Sequence, residues 1–177
     1  MERGEMGMVH LYCGEGKGKT TAAAGLALRM AGTGGHVLFV QFYKNGNSSE
    51  VTALNCLDTV RTLNSGTAHR RFSNMDEKER RQAQQDYDQL LRDAIAASCE
   101  GIDLLVLDEV VSACNHKSVS EEMLLDFLRT RPAPLEVVLT GRDPSAKLLE
   151  QADYVTEIRK IRHPYDRGVR ARRGIEF

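Results

Sequence analysis

The chain has 177 residues, a length that favours one domain with a substantial hydrophobic core. Hydrophobic residues make up 41% and charged residues 28%, as in ordinary globular proteins, and the formal net charge of -1 argues against a general nucleic-acid or membrane-surface binder. No apolar run approaches the roughly 20 residues of a membrane span, and four widely spaced cysteines predict free thiols in a reducing cytoplasm.

The first elements follow the order strand, glycine loop, helix and strand. Residues 8–13 (MVHLYC) are β-prone, and residues 20–31 (TTAAAGLALRMA) are strong helix formers. Glycines end that helix, and residues 36–42 (HVLFVQF) have the composition of a buried strand. This order predicts a parallel sheet, because parallel strands need a crossover helix between them.

The middle of the chain is less regular. Residues 43–72 have the least regular pattern of the chain, and loops are predicted from composition at residues 43–50 (YKNGNSSE) and 66–74 (GTAHRRFSN). Ser73, with Asp76 three residues later, predicts the cap of a long helix that runs to about Cys99. Residues 102–110 (IDLLVLDEV) then form a continuous apolar run, which is typical of a strand covered on both faces.

Helices and strands continue to alternate towards the C-terminus. Ser118 and Ser120 predict the cap of a helix that ends near Arg129, and residues 135–142 (LEVVLTGR) predict a buried strand. A short helix and a last strand are predicted at residues 144–152 and 154–161. We therefore expect a single α/β domain over residues 1–177: a doubly wound fold, with a mainly parallel sheet and helices on both faces.

Residues 13–21 (CGEGKGKTT) nearly match the phosphate-binding pattern G-x-x-x-x-G-K-[ST]. Cys13 stands in place of the first glycine, where we expect it to lie at the strand end as a small apolar residue. Glycines let successive backbone N–H groups turn towards a phosphate, and the start of the next helix adds positive potential. Lys19 would pair with phosphate oxygens, and the Thr20 hydroxyl would bind a magnesium ion. The flanking strand and helix favour this interpretation over a flexible surface loop, and the expected doubly wound α/β fold is therefore of the P-loop (RecA-like) type.

Two further strands end in polar residues. Asp108 and Glu109 should reach the edge of the sheet where open α/β folds bind ligands. They could hold magnesium directly or through water, and in an ATPase the second acid would activate a water molecule. Arg142, after another apolar strand, is either a partner for a phosphate or carboxylate or an ordinary surface residue.

The C-terminal residues 159–177 (RKIRHPYDRGVRARRGIEF) are basic but contain interleaved apolar side chains. The His-Pro-Tyr-Asp turn and the apolar ending argue against a disordered basic tail. Nucleic-acid binding is the generic hypothesis for such a segment. The near-neutral total charge disfavours it, so we predict no nucleic-acid partner and no membrane partner.

Together, the segments GEGKGKTTAAAG, LLVLDEV, LTGRDPSAKLLEQADYVTEI and RHPYDRGVRARRGIEF resemble the P-loop family of ATP:corrinoid adenosyltransferases, in the family's order and over most of the chain. The resemblance implies that the cobalt of a reduced corrinoid attacks the 5′ carbon of ATP and that the whole triphosphate leaves. It implies ATP and a reduced corrinoid as co-substrates, Mg²⁺ as cofactor and a homodimer in the cytoplasm. A flavoprotein is one candidate for the reductant.

The same resemblance implies the site residues. Lys19 and Glu109 are expected to be catalytic, and the metal would be held by Thr20, Asp108 and Glu109. Phe72 is the aromatic residue nearest to the position where relatives shield the lower face of cobalt, and the chain has no tryptophan. The residues expected to bind ATP or the corrinoid are Gly14, Glu15, Gly16, Lys17, Gly18, Lys19, Thr20, Thr21, Arg29, Phe72, Arg142 and His163.

Two other classes of function remain open at this stage. A P-loop ATPase or small-molecule kinase would use Glu109 as a base and would form ADP. A non-catalytic nucleotide- or corrinoid-binding module would bind its ligand without turnover. The sequence leaves open whether the natural substrate is a complete cobalamin or an incomplete corrinoid.

Overall fold

The computed structural model describes residues 6–44, 48–66 and 74–176. Within these residues the chain forms six strands: β1 Val9–Cys13, β2 Val37–Gln41, β3 Val60–Asn64, β4 Leu104–Asp108, β5 Glu136–Thr140 and β6 Tyr154–Glu157. It also forms six α-helices: α1 Lys19–Ala31, α2 Ser49–Leu54, α3 Glu77–Ser98, α4 Val110–Asn115, α5 Glu121–Thr130 and α6 Ala146–Gln151. A 3₁₀ turn follows at Pro164–Arg167.

The strands form one parallel sheet in the order β3-β2-β4-β5-β1-β6. Because every strand runs in the same direction, the carboxyl ends of β1, β2, β4 and β5 meet at one edge of the sheet. These strands end at Cys13, Gln41, Asp108 and Thr140. The predicted parallel sheet is confirmed, and it brings the polar strand ends together.

Successive residues of the strands pack on opposite faces of the sheet, as the two-residue period of a strand requires. In β2, Leu38 and Val40 belong to one buried cluster, whereas Val37 and Phe39 belong to the other. Helices α1 and α2 cover the second cluster, and α3 to α6 cover the first. The doubly wound arrangement with helices on both faces is therefore confirmed.

Three short elements differ from the sequence predictions. Helix α2 and strand β3 lie almost wholly between the two predicted loops, in a stretch for which the sequence predicted no element. Strand β3 is at the edge of the sheet and only partly buried, so its sequence VRTLN carries little hydrophobic signal. The strand predicted over residues 102–110 ends at Asp108, because Glu109 adopts a left-handed backbone with φ 65° and helix α4 follows at once.

The long helix α3 begins at Glu77, with Asp76 rather than Ser73 as its N-cap. Asp76 accepts a 2.8 Å hydrogen bond from Glu79 N–H, and the Glu79 carboxylate accepts one of 2.9 Å from Asp76 N–H. This capping box satisfies two backbone donors at the helix start. Ser120 caps α5 as predicted, by accepting a 3.2 Å hydrogen bond from Met123 N–H.

Among the described residues, no helix combines the length and the apolar character needed to cross a membrane.

Candidate nucleotide-binding site

The glycine-rich loop joins the end of β1 to the start of α1. Cys13 is the last residue of β1 and only 6% exposed, so a small buried side chain occupies the position of the first glycine. Burial raises the pKa of the Cys13 thiol. Gly18 caps α1 with φ 117°, a conformation that favours glycine. The loop thus leads into the N-terminus of a 13-residue helix, where backbone N–H groups attract anions.

The loop also packs tightly against the backbone that follows β6. Gly16 N–H donates a 2.7 Å hydrogen bond to the Ile158 carbonyl, and Ile158 N–H donates one of 2.8 Å to the Cys13 carbonyl. A Cβ atom at Gly16 would lie 2.6 Å from the Ile158 oxygen. Gly16 is therefore required for packing within the protein, in addition to the phosphate approach predicted from the sequence.

Lys19 folds back over its own loop. Its Nζ donates hydrogen bonds of 2.7 Å to the Gly14 carbonyl and 2.9 Å to the Gly16 carbonyl. The residue is only 7% exposed, and burial lowers its pKa, while the nearby Glu109 carboxylate opposes that shift. The loop therefore holds the ammonium group at its centre.

Asp108 is the centre of a polar network at the carboxyl edge of the sheet. Its Oδ1 accepts hydrogen bonds from the hydroxyls of Thr20 (2.9 Å) and Thr140 (2.8 Å). Its Oδ2 accepts one from Gln41 Nε2 at 3.1 Å and lies 3.4 Å from Lys44 Nζ. Asp108 is fully buried, so these donors offset the cost of burying its carboxylate. The network connects α1 with β2, β4 and β5.

Glu109 occupies the turn between β4 and α4. Its backbone N–H donates a 2.8 Å hydrogen bond to Thr140 Oγ1, and its carboxylate accepts one of 2.7 Å from the Ser112 hydroxyl. A left-handed backbone at a non-glycine residue costs roughly 1–3 kcal/mol and is most common at functional sites. This turn places the Glu109 carboxylate close enough to Lys19 to oppose the lowering of the lysine's pKa.

Arg142 lies just beyond the end of β5 and pairs with Glu15 of the loop, with 3.0 Å between the nearest nitrogen and oxygen. Both side chains are 57% exposed, so the pair contributes at most about 1 kcal/mol. The Arg142 backbone is held by a 3.3 Å hydrogen bond to Ser112 Oγ and a 2.7 Å bond from Asn115 Nδ2. The backbone of Arg142 is therefore fixed, whereas its guanidinium group is held only weakly by Glu15.

A cavity of about 540 Å³ lies against these groups. Residues 15–21 line it on one side, and parts of the C-terminal segment line it on the other. The volume falls in the range of small-molecule sites. The cavity residues outside the loop are Lys44, Glu50, Glu109, Arg142, Lys160, His163, Tyr165, Asp166, Ile175 and Glu176.

Most of the predicted site residues come together here. Asp108 contacts Thr20 directly, and Gly14 supplies a carbonyl to Lys19. Arg29 is an exception: it is exposed in the last turn of α1, roughly 15 Å along the helix axis from Lys19, and does not line the cavity. The predicted Phe72 contact lies outside the described residues.

The sequence analysis missed several cavity residues. Lys44 follows a recognisable buried strand, so its position at the carboxyl edge of the sheet could have been predicted from the hydrophobic pattern. The C-terminal residues Tyr165, Ile175 and Glu176 line the same cavity as the loop, although they lie at the opposite end of the chain, and no local pattern predicts that arrangement. The His-Pro-Tyr-Asp turn is confirmed, since His163 Nδ1 accepts a 3.1 Å hydrogen bond from Tyr165 N–H.

The fold and the loop geometry define a P-loop type of α/β protein. The solved structure of EssC (ATPases 2 and 3) from Geobacillus thermodenitrificans has a similar fold, with a TM-score of 0.53 and 13% identity over 95% of this chain and 35% of that chain. The family model for ATP:corrinoid adenosyltransferase BtuR/CobO/CobP matches residues 5–177. The chain belongs to this family of enzymes, as the sequence predicted.

Named relatives agree with the family model. The corrinoid adenosyltransferase of Escherichia coli K12 is 32% identical over 186 residues, covering 98% of this chain and 87% of that protein. Corrinoid adenosyltransferase CobA of Salmonella typhimurium LT2 is 32% identical over 179 residues with the same coverage. The corrinoid adenosyltransferase of Pseudomonas aeruginosa PAO1 is 30% identical over 185 residues, covering 99% and 86%.

Proposed function

We propose that this chain transfers the 5′-deoxyadenosyl group of ATP to the cobalt(I) of a reduced corrinoid. The cobalt electron pair forms a cobalt–carbon bond, the C5′–O bond breaks, and triphosphate leaves with that bond's electron pair. Cobalt is formally oxidised from I to III. The observation that carries the proposal is the Lys19-centred loop beside a cavity of about 540 Å³, in a chain that belongs to this family.

In this reaction the loop holds a leaving group, so positive charge is needed more than an activated water. Lys17 and Lys19 line the cavity together with the N-terminal turn of α1, and Arg142 faces it from β5. Each charge-assisted hydrogen bond to the triphosphate would contribute about 1.5–3 kcal/mol. Donors fixed before the reaction stabilise the charge that develops on the departing oxygen.

Thr20, Asp108 and Glu109 are the residues that would hold Mg²⁺. The ion prefers oxygen ligands, which the hydroxyl and carboxylate groups of these residues would supply. The Thr20 hydroxyl and the Asp108 carboxylate are separated by 2.9 Å. Within the described residues no cluster of three or more His, Cys, Asp or Glu forms a metal site, so phosphate and water would complete the shell. When bound, the ion would neutralise part of the triphosphate charge.

We propose that Phe72 shields the lower face of the corrinoid cobalt. Loss of the lower axial ligand makes reduction to cobalt(I) easier, and a flavoprotein is the proposed electron donor. The support is the place of Phe72 in the sequence, shortly before α3 begins at Glu77. Its replacement by alanine should slow the reaction most when cobalt must be reduced on the enzyme.

We also propose that residues 1–177 act as a single domain, in a cytoplasmic homodimer. Strand β6 supports an interface, because it lies at the edge of the sheet with all four residues exposed, among them Tyr154 and Val155. Edge strands are commonly covered in native assemblies. The cysteines support a reducing compartment, because Cys13, Cys56, Cys99 and Cys114 are all free.

The testing experiment is anaerobic and follows two products together. Purified protein, magnesium, ATP and chemically reduced cob(I)alamin are mixed, and the cobalt absorbance is recorded while phosphate products are separated. Adenosylcobalamin with an equal amount of triphosphate is the expected result. ADP and phosphate without a cobalt–carbon product would contradict the proposal and assign Glu109 to hydrolysis. Bound ATP with no product would do so too, if incomplete corrinoids such as cobyrinate diamide also fail.

A further inference from the structure

Lys44 is a cavity-lining cation that neither the loop motif nor the family resemblance singled out. It follows β2, and its Nζ lies 3.4 Å from the buried Oδ2 of Asp108. The Lys44 side chain is 36% exposed, whereas that of Asp108 is fully buried. The ammonium group therefore connects the buried carboxylate to the open cavity.

The backbone before Lys44 is held firmly. Phe42 N–H donates a 3.0 Å hydrogen bond to the Asp108 carbonyl. Tyr43 adopts φ 62°, its hydroxyl donates a 2.9 Å hydrogen bond to Ser118 Oγ, and its ring packs edge-on against Tyr87 at 5.3 Å between centroids. This strained and anchored turn fixes where the Lys44 side chain begins, so a change of partner needs only side-chain rotation.

Three other basic side chains that line the cavity have partners of a different kind. Lys19 bonds to loop carbonyls, Arg142 pairs with Glu15, and Lys160 pairs with Asp166 at 3.2 Å. None of those partners is itself a proposed magnesium ligand. The partner of Lys44 is Asp108, which is a proposed magnesium ligand.

Magnesium at Asp108 would therefore change the position of Lys44. A divalent cation and an ammonium group on one carboxylate repel each other, and the repulsion is strong beside a buried group. The Lys44 ammonium would then turn to the nearest new anion. A triphosphate bound by residues 15–21 would supply it, because Lys44 lines the same cavity.

We propose that Lys44 is a further triphosphate-binding residue, whose ammonium group passes from Asp108 to the triphosphate when Mg²⁺ and the nucleotide bind together. The inference deepens the proposed function and rests on its magnesium site. It makes the contribution of Lys44 to phosphate binding depend on the metal. It also gives the leaving triphosphate one more cationic contact.

The test measures equilibrium binding of inorganic tripolyphosphate by calorimetry, with and without Mg²⁺, in the absence of any corrinoid. Lys44→Ala should weaken binding about tenfold or more with Mg²⁺, the equivalent of one charge-assisted hydrogen bond. Without Mg²⁺ its effect should stay below about threefold, and Lys44→Arg should bind like the parent. Lys147→Ala is the matched control, because it removes an exposed lysine of α6 outside the cavity.

Three results would overturn the inference. They are unchanged Mg²⁺-dependent binding in Lys44→Ala, an equal loss with and without Mg²⁺, or an equal loss in Lys147→Ala. Thermal unfolding of each variant shows whether the fold is kept, and if the alanine variant unfolds, Lys44→Gln, which removes the charge but keeps most of the side chain, is measured in its place. Failure of adenosyl transfer by the parent protein, with Lys44-dependent tripolyphosphate binding intact, would reject the proposed reaction and leave this inference standing.

Discussion

The Thr20 hydroxyl donates a 2.9 Å hydrogen bond to the Asp108 carboxylate, although the two residues are 88 positions apart in the chain. This bond joins the first turn of α1 to the end of β4 and places the Thr20 hydroxyl, which lines the cavity, beside the fully buried carboxylate of Asp108. Both groups are oxygen ligands of the kind that Mg²⁺ prefers. The pair is therefore the most direct structural support for the proposed metal site.

Thr20→Val should weaken magnesium binding while keeping the shape of the side chain. We expect the apparent Mg²⁺ affinity in the presence of ATP to fall about tenfold, because one oxygen ligand is lost. Thr20→Ser keeps the hydroxyl and should stay within about threefold of the parent. Titration of Mg²⁺ at fixed ATP measures the effect. Equal Mg²⁺ affinities for the valine and serine variants would remove Thr20 from the metal site.

Glu109→Gln separates transfer from hydrolysis. The variant keeps an oxygen that accepts from Ser112 but loses the charge and any basic function. Transfer to cob(I)alamin should fall by less than about tenfold at saturating Mg²⁺, because no water has to be activated. A general base contributes roughly 10²–10⁴-fold, so a loss of that size would indicate that Glu109 moves a proton. The products to quantify are triphosphate and ADP.

Gly16→Ala should destabilise the protein through one backbone contact. Its Cβ would approach the Ile158 carbonyl oxygen to 2.6 Å, and relief of such overpacking typically costs 1–3 kcal/mol. Gly25→Ala is the control, since a Cβ there meets nothing within 4 Å and the residue is inside α1. That control should gain about 0.5–1 kcal/mol. Urea unfolding measures both, and a Gly16→Ala protein as stable as the parent would contradict the packing role.

The contrast between Gly16 and Cys13 shows how far the loop could be predicted from sequence. The motif and its flanking elements predicted a phosphate loop, and they also predicted that Cys13 would serve as a small apolar residue at the strand end. They could not predict the contact between Gly16 and Ile158, because it joins segments that are far apart in the chain. Local patterns identify the elements, whereas long-range packing decides which atoms meet.

The same reasoning explains the outcomes for the other elements. The apolar runs that became β2, β4 and β5 are fully or almost fully buried, so their hydrophobic pattern was strong. Strand β3 and helix α2 lie near the edge and are partly polar, so their pattern was weak. Arg29 was assigned through the family motif alone, and its distance along α1 keeps it out of the cavity.

The lowered pKa of Lys19 predicts a pH dependence of ATP binding. Burial is its main cause; Glu109 and Glu15 oppose the shift, and Arg142 adds to it. Only the protonated amine carries the charge that a triphosphate needs. As pH rises through the lowered pKa of Lys19, its protonated fraction falls. The affinity for ATP should therefore begin to decline at a lower pH than it would if Lys19 had the pKa of an ordinary lysine.

Lys19→Arg supplies the control for that prediction, because a guanidinium group stays charged over the whole range. Its ATP affinity should be weaker at neutral pH, since the two loop carbonyl contacts fit an ammonium group. The alkaline decline should nevertheless disappear. Calorimetric titrations from pH 7 upwards, with folding checked at each pH, measure both. If the ATP affinity of Lys19→Arg declined with the same midpoint pH as that of the parent, the titrating group would be a residue other than Lys19.

Glu15 places a negative charge inside a loop that is proposed to bind a triphosphate. Its partner Arg142 is 3.0 Å away, and both are more than half exposed, so the pair should break easily. Glu15→Gln should therefore strengthen tripolyphosphate binding about two- to fivefold, because one repulsion is removed and Arg142 is released. Arg142→Ala should weaken it about tenfold, while Arg92→Ala, on the exposed face of α3, should change nothing.

The double variant decides whether these two effects share one cause. If Glu15 acts mainly by holding Arg142, then Glu15→Gln should give little gain once Arg142 is alanine. If Glu15 acts by direct repulsion of the phosphate, the gain should be the same in both backgrounds. High salt should reduce either effect, because exposed charges are screened. Weaker tripolyphosphate binding in Glu15→Gln alone would contradict both explanations.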